Sequence, residues 1–223
     1  MIHSAYSGEM TQGVNGYLDN ELRPKPQRPG EFEFFIDEAK KSGGPVLELA
    51  SGAARMLMVL AGAGFEVFGV EASWPMIELA RKAVAQCPGG VQKRIHIIQG
   101  DIRSFAFARH FPLVIIPFNS FWYNFSRNEP PYFWKLKLHK RIPPFLKQGE
   151  ACVRAIARTL GPGGRFIIDT PRCGVFWERQ ESDRWWSWLG KEYGFSYEII
   201  KPFKPLEYYD MRWETDVLIG KKL

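Results

Sequence analysis

The chain has 223 residues, of which 45% are hydrophobic, and it carries a formal net charge of +6. This length and apolar content suffice for one globular domain with a buried core, and the charge is no larger than that of many ordinary hydrophilic surfaces. Three isolated cysteines, Cys87, Cys152 and Cys173, exclude a disulfide framework or a paired-cysteine zinc site and favour a reducing, cytoplasmic setting.

The first residues, MIHSAYSGEMTQG, lack the basic region and apolar run of a secretion signal, and no apolar segment approaches the roughly 18 residues of a membrane span. We therefore expect neither export nor contact with a membrane. The histidines lack the spacing of metal ligands, so no metal site is expected. They are His3, His96, His110 and His139.

Residues 1–44 are interpreted as an N-terminal helical cap. A proline-rich stretch, RPKPQRPG, precedes an amphipathic helix. The helical spacing places Phe32, Phe35, Ile36 and Ala39 on one face. This cap leads into the first strand of the domain.

From residue 45 to 171, short β-rich apolar runs alternate with helical patterns, which is typical of a parallel sheet covered by helices on both faces. Helices are predicted near residues 53–62, 75–86 and 148–160, the last ending at LGPGGR. The predicted strands are Val46–Ala50, Glu66–Val70, Arg94–Gln99, Leu113–Pro117 and Arg165–Asp169. The fold class is therefore α/β, with a Rossmann-like, doubly wound and mostly parallel sheet.

Ligands of an open α/β sheet bind beyond the carboxyl ends of its strands. At the first strand, VLELASGAAR turns through small residues into a helix, with Glu48 in the strand and Gly52 in the turn. A dinucleotide site needs the glycines of G-x-G-x-x-G, and Glu48 would repel its phosphates. The turn therefore argues against a nicotinamide or flavin oxidoreductase and favours a cationic ligand.

Two more acids follow at the next strand ends. Glu71 ends the second strand, where a carboxylate suits the two hydroxyls of a ribose, and Asp101 follows the third strand. Asp101 can accept a hydrogen bond from an exocyclic amine, while Ile102 offers a backbone N–H and an apolar side chain beside the ring. Three acids in succession indicate a nucleoside that carries positive charge, such as S-adenosylmethionine.

Four segments in order carry a family resemblance: VLELASGAARMLMVLAGAGFEVFGVEASWPMIELARKA, IQGDIRSF, LVIIPFNSF and LGPGGRFIIDTP. With this spacing, residues 30–171 resemble the class I S-adenosylmethionine-dependent methyltransferases, and PFNS most resembles their small-molecule branch. The resemblance implies S-adenosylmethionine as the cofactor and a small-molecule methyl acceptor as the partner. The chain departs from the family where Ala50 and Ala54 replace the usual glycines and where Pro112 replaces an acid.

The resemblance also assigns roles by position. It implies that Glu71 binds the ribose and that Asp101 and Ile102 hold the adenine edge, with Ala72 and Met76 flanking the ring. The methionine half is assigned to Glu48, Ala50, Ser51 and Gly52, and the wall towards the acceptor to Pro117, Phe118 and Asn119.

Methyl transfer from a sulfonium needs no general base, because the leaving group is already good. Asn119, Tyr123 and His139 are the candidates if one exists, although Asn119 equally suits the backbone of its own turn. A nitrogen, oxygen or carbon nucleophile would attack in line, driven mainly by proximity and alignment in a dry pocket.

A basic and aromatic insertion at about residues 125–147 exceeds what the resembling family needs. Lysines and arginines alternate there with aromatic residues such as Tyr132, Phe133 and Trp134. This pattern is compatible with binding to nucleic acid, with a lid over a small substrate, or with a solvent-exposed helix. The first alternative predicts an RNA-directed or non-catalytic relative of the family.

The tail, residues 172–223, changes period. Alternation from Tyr193 to Ile199 and from Tyr209 to Val217 predicts an antiparallel hairpin with one wet face. The resembling family ends its sheet with a helix and a final antiparallel strand, which this reading lacks. The hairpin therefore substitutes for that edge, or a second copy completes it in a homodimer, or the sequence is incomplete.

Overall fold

The computed structural model describes residues 28–118, 120–121, 144–171, 179–202, 206–208, 211–213 and 215–223. The candidate bases Asn119, Tyr123 and His139 lie outside the described residues. So do residues 1–27 of the predicted cap and most of the basic insertion.

The described helices are α1 (Glu31–Ser42), α2 (Arg55–Gly62), α3 (Trp74–Val84), α4 (Gly89–Gln92), α5 (Pro144–Thr159) and α6 (Arg179–Tyr193). Helices α1, α2, α3 and α5 lie close to predicted positions, whereas α4 and α6 were not predicted. Helix α2 begins at residue 55 rather than 53 because Ala54 has a left-handed backbone, with φ at 66°. None of the helices that the structure describes combines the length and apolar character needed to cross a bilayer.

All of the predicted core strands are present. The strands are β1 (Val46–Leu49), β2 (Val67–Glu71), β3 (Ile95–Gln99), β4 (Phe111–Ile116), β5 (Leu160–Pro171), β6 (Phe195–Ile200), β7 (Leu206–Tyr208), β8 (Met211–Trp213) and β9 (Thr215–Lys222). The fifth strand begins earlier than predicted, at Leu160, because its first residues already pair with Phe111 of β4.

The main sheet has the order β3-β2-β1-β4-β5-β9-β6, in which β1 to β5 are parallel and β9 is antiparallel to both neighbours. Val46 pairs with Val67 on one side and with Leu113 on the other. Strands β2 and β3 lie on one side of β1, and β4 and β5 lie on the other, so the strand order reverses at β1. In a doubly wound fold, ligands bind at the carboxyl ends of the strands where this reversal occurs. The predicted α/β fold class is confirmed.

Alternating side chains of the central strands face two separate core clusters. Val46 belongs to the cluster that contains Phe35 of α1 and Leu57 of α2, whereas Leu47 belongs to the cluster that contains Trp186 of α6. Because the side chains of a strand alternate, Glu48 shares the face of Val46. This acid therefore points towards the side of the sheet that α1 and α2 cover.

Helix α1 buries acids as well as apolar residues. Phe35 and Ala39 are fully buried as predicted, but Glu31 and Glu38 are buried on the same face. Glu38 is neutralised by Arg165 of β5 at 2.5 Å. Charge therefore joins this helix to the domain in addition to apolar contact.

The prediction for the tail is partly wrong. Residues 179–193 form helix α6, which buries Trp185, Trp186 and Leu189 at helical spacing. An antiparallel pair is present, but it joins β6 to β9, and the small hairpin of β7 and β8 lies between them in sequence. Because the sheet has its helix and final antiparallel strands, the argument that a homodimer completes a missing edge no longer applies.

Candidate functional site

The turn between β1 and α2 is built from small residues in a left-handed backbone. Ala50, Gly52 and Ala54 have φ values of 56°, 54° and 66°. A left-handed conformation costs about 1–2 kcal/mol for a residue with a Cβ atom. The turn therefore stores strain at Ala50 and Ala54, the two positions at which the resembling family usually has glycine.

Replacing Ala50 by glycine is expected to raise the free energy of unfolding by about 0.5–1 kcal/mol. Relief of the left-handed strain stabilises the folded protein by more than the added entropy of the unfolded chain destabilises it. Urea titration measures this change. Ala63→Gly is the matched control, since exposed Ala63 has an ordinary φ of −77° and should lose stability on substitution. A loss of stability in both variants would contradict strain in the turn.

Ser51 is pressed onto β2 where that strand has a glycine. A Cβ atom on Gly69 would lie 2.7 Å from Ser51 Oγ and 2.5 Å from Leu57 Cδ1, so a larger residue would push the turn away. The Ser51 N–H donates to the carbonyl of Val70 at 3.1 Å. Within the described residues, the buried Ser51 Oγ has no hydrogen-bond partner. This hydroxyl is therefore buried against β2, and the absence of a side chain on Gly69 lets the turn lie close to the strand.

Glu71 at the end of β2 organises the turn. Its Oε2 accepts the N–H of Gly52 at 2.9 Å, and its Oε1 accepts the N–H of Ser73 at 2.8 Å. Burial raises the pKa of this carboxyl, against backbone hydrogen bonds that favour its ionised form. Glu71 thus joins the turn after β1 to the turn after β2, so two of the predicted cofactor segments lie together.

Glu48 lies deeper in the site and is 3% exposed. Burial raises its pKa to about 8; Arg55 opposes this shift, while Glu31 and Glu71 reinforce it. Across the described parts of the chain, Glu48 Oε2 finds no hydrogen-bond partner. A buried carboxyl of this kind is neutral when alone and ionises when a cation approaches.

The predicted residues on the adenine side divide into two groups. Met76 lies against the turn, since a Cβ atom on Gly52 would be 3.4 Å from Met76 Cε, and Ala72 is exposed. Ile102, by contrast, is 6% exposed and packs in the core. Its side chain is therefore a core residue, and only its backbone N–H remains a predicted contact of the adenine.

Asp101 is engaged by Arg103. Its Oδ1 accepts the backbone N–H and the Nε–H of Arg103, each at 2.8 Å, and its Oδ2 accepts a further guanidinium N–H. These hydrogen bonds lower the pKa of Asp101 and keep it ionised. An exocyclic amine would have to share this carboxylate with Arg103, a competitor only two residues away that the sequence analysis missed.

The end of β4 forms the side of the cleft assigned to the acceptor. Pro117 is buried, whereas the ring of Phe118 is 46% exposed. Phe118 has φ at 57°, and its N–H donates to Oδ2 of fully buried Asp169 at 2.9 Å. Asp169 also forms a buried ion pair with Arg28, just before α1. Sequence analysis missed this pair, although an acid closing the apolar run RFIID was an available signal.

A second buried ion pair adjoins the turn after β1. Arg55 donates to both carboxylate oxygens of Glu31, each at 2.8 Å. Sequence analysis missed this pair as well. The available signal was the seven-residue spacing of Glu31 and Glu38, which places two acids on the same helical face as Phe35.

The donor set fits a positively charged adenosine derivative. Glu48 Oε2 and Ser51 Oγ are buried oxygens that have no hydrogen-bond partner among the described residues. Glu71 accepts a hydrogen bond from Gly52 in the turn that carries Ser51. The N–H of Gly100 donates to the carbonyl of Glu71 at 3.0 Å, which brings the turn before Asp101 to the same edge. The ionised form of these carboxyls would repel phosphate groups.

Comparisons with known proteins agree with this geometry. Residues 46–136 match the family model described as a methyltransferase domain. No curated protein sequence matches the chain significantly. The TehB-like S-adenosylmethionine-dependent methyltransferase from Corynebacterium glutamicum is similar in structure, with a TM-score of 0.61 at 16% identity over 98% of this chain and 99% of that chain.

Two further solved structures show the same fold. The CcbJ methyltransferase from Streptomyces caelestis has a TM-score of 0.62 at 16% identity and covers 88% of this chain and 90% of its own. The glycopeptide N-methyltransferase MtfA, complexed with S-adenosyl-L-methionine, has a TM-score of 0.55 at 18% identity and covers 84% of this chain and 87% of its own. At such identities the likeness establishes the architecture.

Proposed function

We propose that this chain is an S-adenosylmethionine-dependent methyltransferase that methylates a nitrogen, oxygen or carbon atom of a small molecule. The match of residues 46–136 to a methyltransferase domain supports the proposal, as does the likeness in fold to a solved methyltransferase complexed with S-adenosyl-L-methionine. The buried Glu48 carboxyl carries the cofactor part of the proposal, since its Oε2 lacks a partner among the described residues. Support for a small acceptor comes from PFNS at the end of β4 and from a structural neighbour named as a glycopeptide N-methyltransferase.

When bound, the cofactor supplies a methyl group on a sulfonium, which is an activated electrophile with a neutral leaving group. Glu48 and Ser51 offer buried oxygens to its charged half. Glu71 accepts the N–H groups of Gly52 and Ser73, and a backbone hydrogen bond from Ala72 also favours its ionised form, so a lone pair remains for a ribose hydroxyl. These residues would bind and orient the cofactor. Its positive charge would stabilise the ionised form of Glu48, which is protonated when no cation is bound.

Phe118 is proposed to align the acceptor. Its half-exposed ring stands at the carboxyl end of β4, next to the central strand that carries Glu48. An apolar wall there excludes water and restricts the approach of the nucleophile, so that proximity and alignment supply most of the rate enhancement. Asn119, Tyr123 and His139 stay predicted candidates for a base where the acceptor needs to lose a proton.

Titration calorimetry with S-adenosylhomocysteine tests the cofactor part of the proposal, with NADH as the rival ligand. We expect saturable heat with the first ligand and none with the second. Saturable heat with NADH alone would contradict the assignment of the site.

Release of S-adenosylhomocysteine in the presence of small amines, phenols and carboxylic acids tests the acceptor. Single-stranded oligonucleotides across a salt series are the comparison, because phosphate-dominated binding weakens steeply as salt rises. Turnover confined to oligonucleotides would overturn the small-molecule proposal and favour the RNA-directed alternative.

A further inference from the structure

Glu31 of helix α1 forms an ion pair next to the turn after β1 (residues 50–54), which is called the cofactor turn from here on. Glu31, its first residue, is fully buried and accepts hydrogen bonds from Arg55 at both oxygens, each at 2.8 Å. Arg55 is the first residue of α2 and directly follows left-handed Ala54. A two-pronged pair of this kind fixes the distance and the relative plane of both groups. The pair therefore connects helix α1 to the first residue of α2, where the turn after β1 ends.

Arg55 also borders both halves of the cleft. Its guanidinium carbon lies 5.5 Å from the ring centroid of Phe32 in α1 and 5.9 Å from that of Phe118. Its positive charge also acts on buried Glu48. One largely buried side chain thus adjoins the cofactor acid, the acceptor wall and the N-terminal helix.

We propose that Glu31, acting through Arg55, is a positioning residue for the cofactor turn, so that helix α1 is a working part of the binding site. The inference rests on the proposed function, because the segment being positioned is the turn that is proposed to bind the cofactor. Without the Glu31 carboxylate, Arg55 would turn to Glu48, the acid on the same face of the sheet. It would then occupy the oxygen that the cation of the cofactor needs.

Helix α1 contains a matched control for this proposal. Glu38 lies two turns along the same face, is 3% exposed, and pairs with Arg165 at 2.5 Å. Arg165 is in register with Leu113, which is in register with Val46 at the start of β1. The Glu38 pair therefore lies at the amino end of the parallel strands, whereas the Glu31 pair lies at the end that carries the cofactor turn.

The test compares the full-length wild type, E31Q and E38Q by calorimetry with S-adenosylhomocysteine and by thermal unfolding. Both variants remove one charge from the same helix face and break one ion pair to a largely buried arginine, so we expect similar losses in Tm; E38Q also removes the partner of exposed Lys41. We expect E31Q to raise Kd about tenfold and E38Q to change it less than about twofold. An equal rise in both variants would overturn the proposal, whereas a wild type that does not bind would refute the proposed function instead.

A pH profile separates positioning from general loosening. Glu48 is faced by Arg55 from α2, Glu31 from α1, Glu71 from β2 and the N–H of Leu57. With Glu31 neutralised, Arg55 acts more strongly on Glu48, so the pH midpoint of S-adenosylmethionine binding should fall in E31Q and stay in place in E38Q. A midpoint that stays in place in both variants contradicts the proposal.

A second variant keeps the proposal falsifiable if E31Q does not fold. R55K retains the cation but loses the two-pronged geometry of the guanidinium. We expect R55K to raise Kd for S-adenosylhomocysteine about tenfold, in line with E31Q. An unchanged Kd in R55K would show that the geometry of the pair does not position the turn.

Discussion

Affinity for S-adenosylmethionine is expected to rise as the pH rises towards about 8, and Glu48→Gln is expected to remove that dependence. Burial raises the pKa of Glu48 from its ordinary 4.5 to about 8, so the carboxyl of the unliganded protein is protonated at neutral pH. A cationic ligand favours the ionised form, and binding therefore releases a proton. Below the pKa, affinity should fall by up to about tenfold for each pH unit.

Calorimetry from about pH 6 to about pH 9 measures this dependence, and buffers with different ionisation enthalpies count the protons released. The amino group of the ligand titrates identically with the wild type and with E48Q. The difference between the two proteins therefore isolates Glu48. Parallel pH profiles would show that this carboxyl does not face the cation.

The same carboxyl affects folding with the opposite sign. Unfolded Glu48 ionises above about pH 4.5 whereas the folded protein keeps the proton up to about 8, so the free energy of unfolding falls as the pH rises between these values. Glu48→Gln removes this penalty. The Tm of E48Q relative to wild type should therefore increase across that range. A constant difference in Tm would contradict the raised pKa.

Glu71→Ala is expected to weaken S-adenosylhomocysteine binding by about 1–3 kcal/mol, which corresponds to a 5–150-fold rise in Kd. The carboxylate is assigned to the ribose, and it also holds the N–H groups of Gly52 and Ser73. Its loss would remove the proposed contact with the ribose and loosen the turn that carries Ser51. Calorimetry at one pH measures the change.

Glu66→Ala is the control for this prediction. Glu66 immediately precedes the same strand, but its side chain is 47% exposed and pairs with exposed His96. We expect an unchanged Kd in E66A. Equal Kd values for E71A and the wild type would remove Glu71 from the site.

The tail shows where periodicity misled the sequence analysis. The tryptophans and leucine that α6 buries lie within a segment that contains many charged residues, so its apolar face is narrow. Among the alternating residues that the structure describes, Met211 and Trp213 lie in β8, and Thr215 and Val217 lie in β9, which continues to Lys222. Which strand pairs with β6 depends on long-range contacts with β5, and local alternation does not encode them.

The candidate site shows the same division. Glu48, Gly52 and Glu71 were singled out because a strand end followed by small residues is a local pattern, and Ser51 was assigned through the family resemblance. The structure joins Gly52 to Glu71, and Glu71 acts electrostatically on Glu48. The arginines that pair with buried acids around the site were not predicted. Arg55 pairs with an acid 24 positions away, and Arg28 reaches an aspartate on a distant strand.

The sequence by itself determined the order of the parallel strands along the chain and the carboxylates at their ends, since both follow from periodicity and turn chemistry within a few residues. Only the tertiary structure decided which acids are buried, which are paired, and which keep an oxygen without a partner among the described residues. Glu48 acquires its raised pKa because α1 and α2 close over one face of β1. Asp101 instead stays ionised because Arg103 folds back onto it. Burial and ion pairing depend on which elements meet in space, and these in turn determine the charge that each acid presents to a ligand.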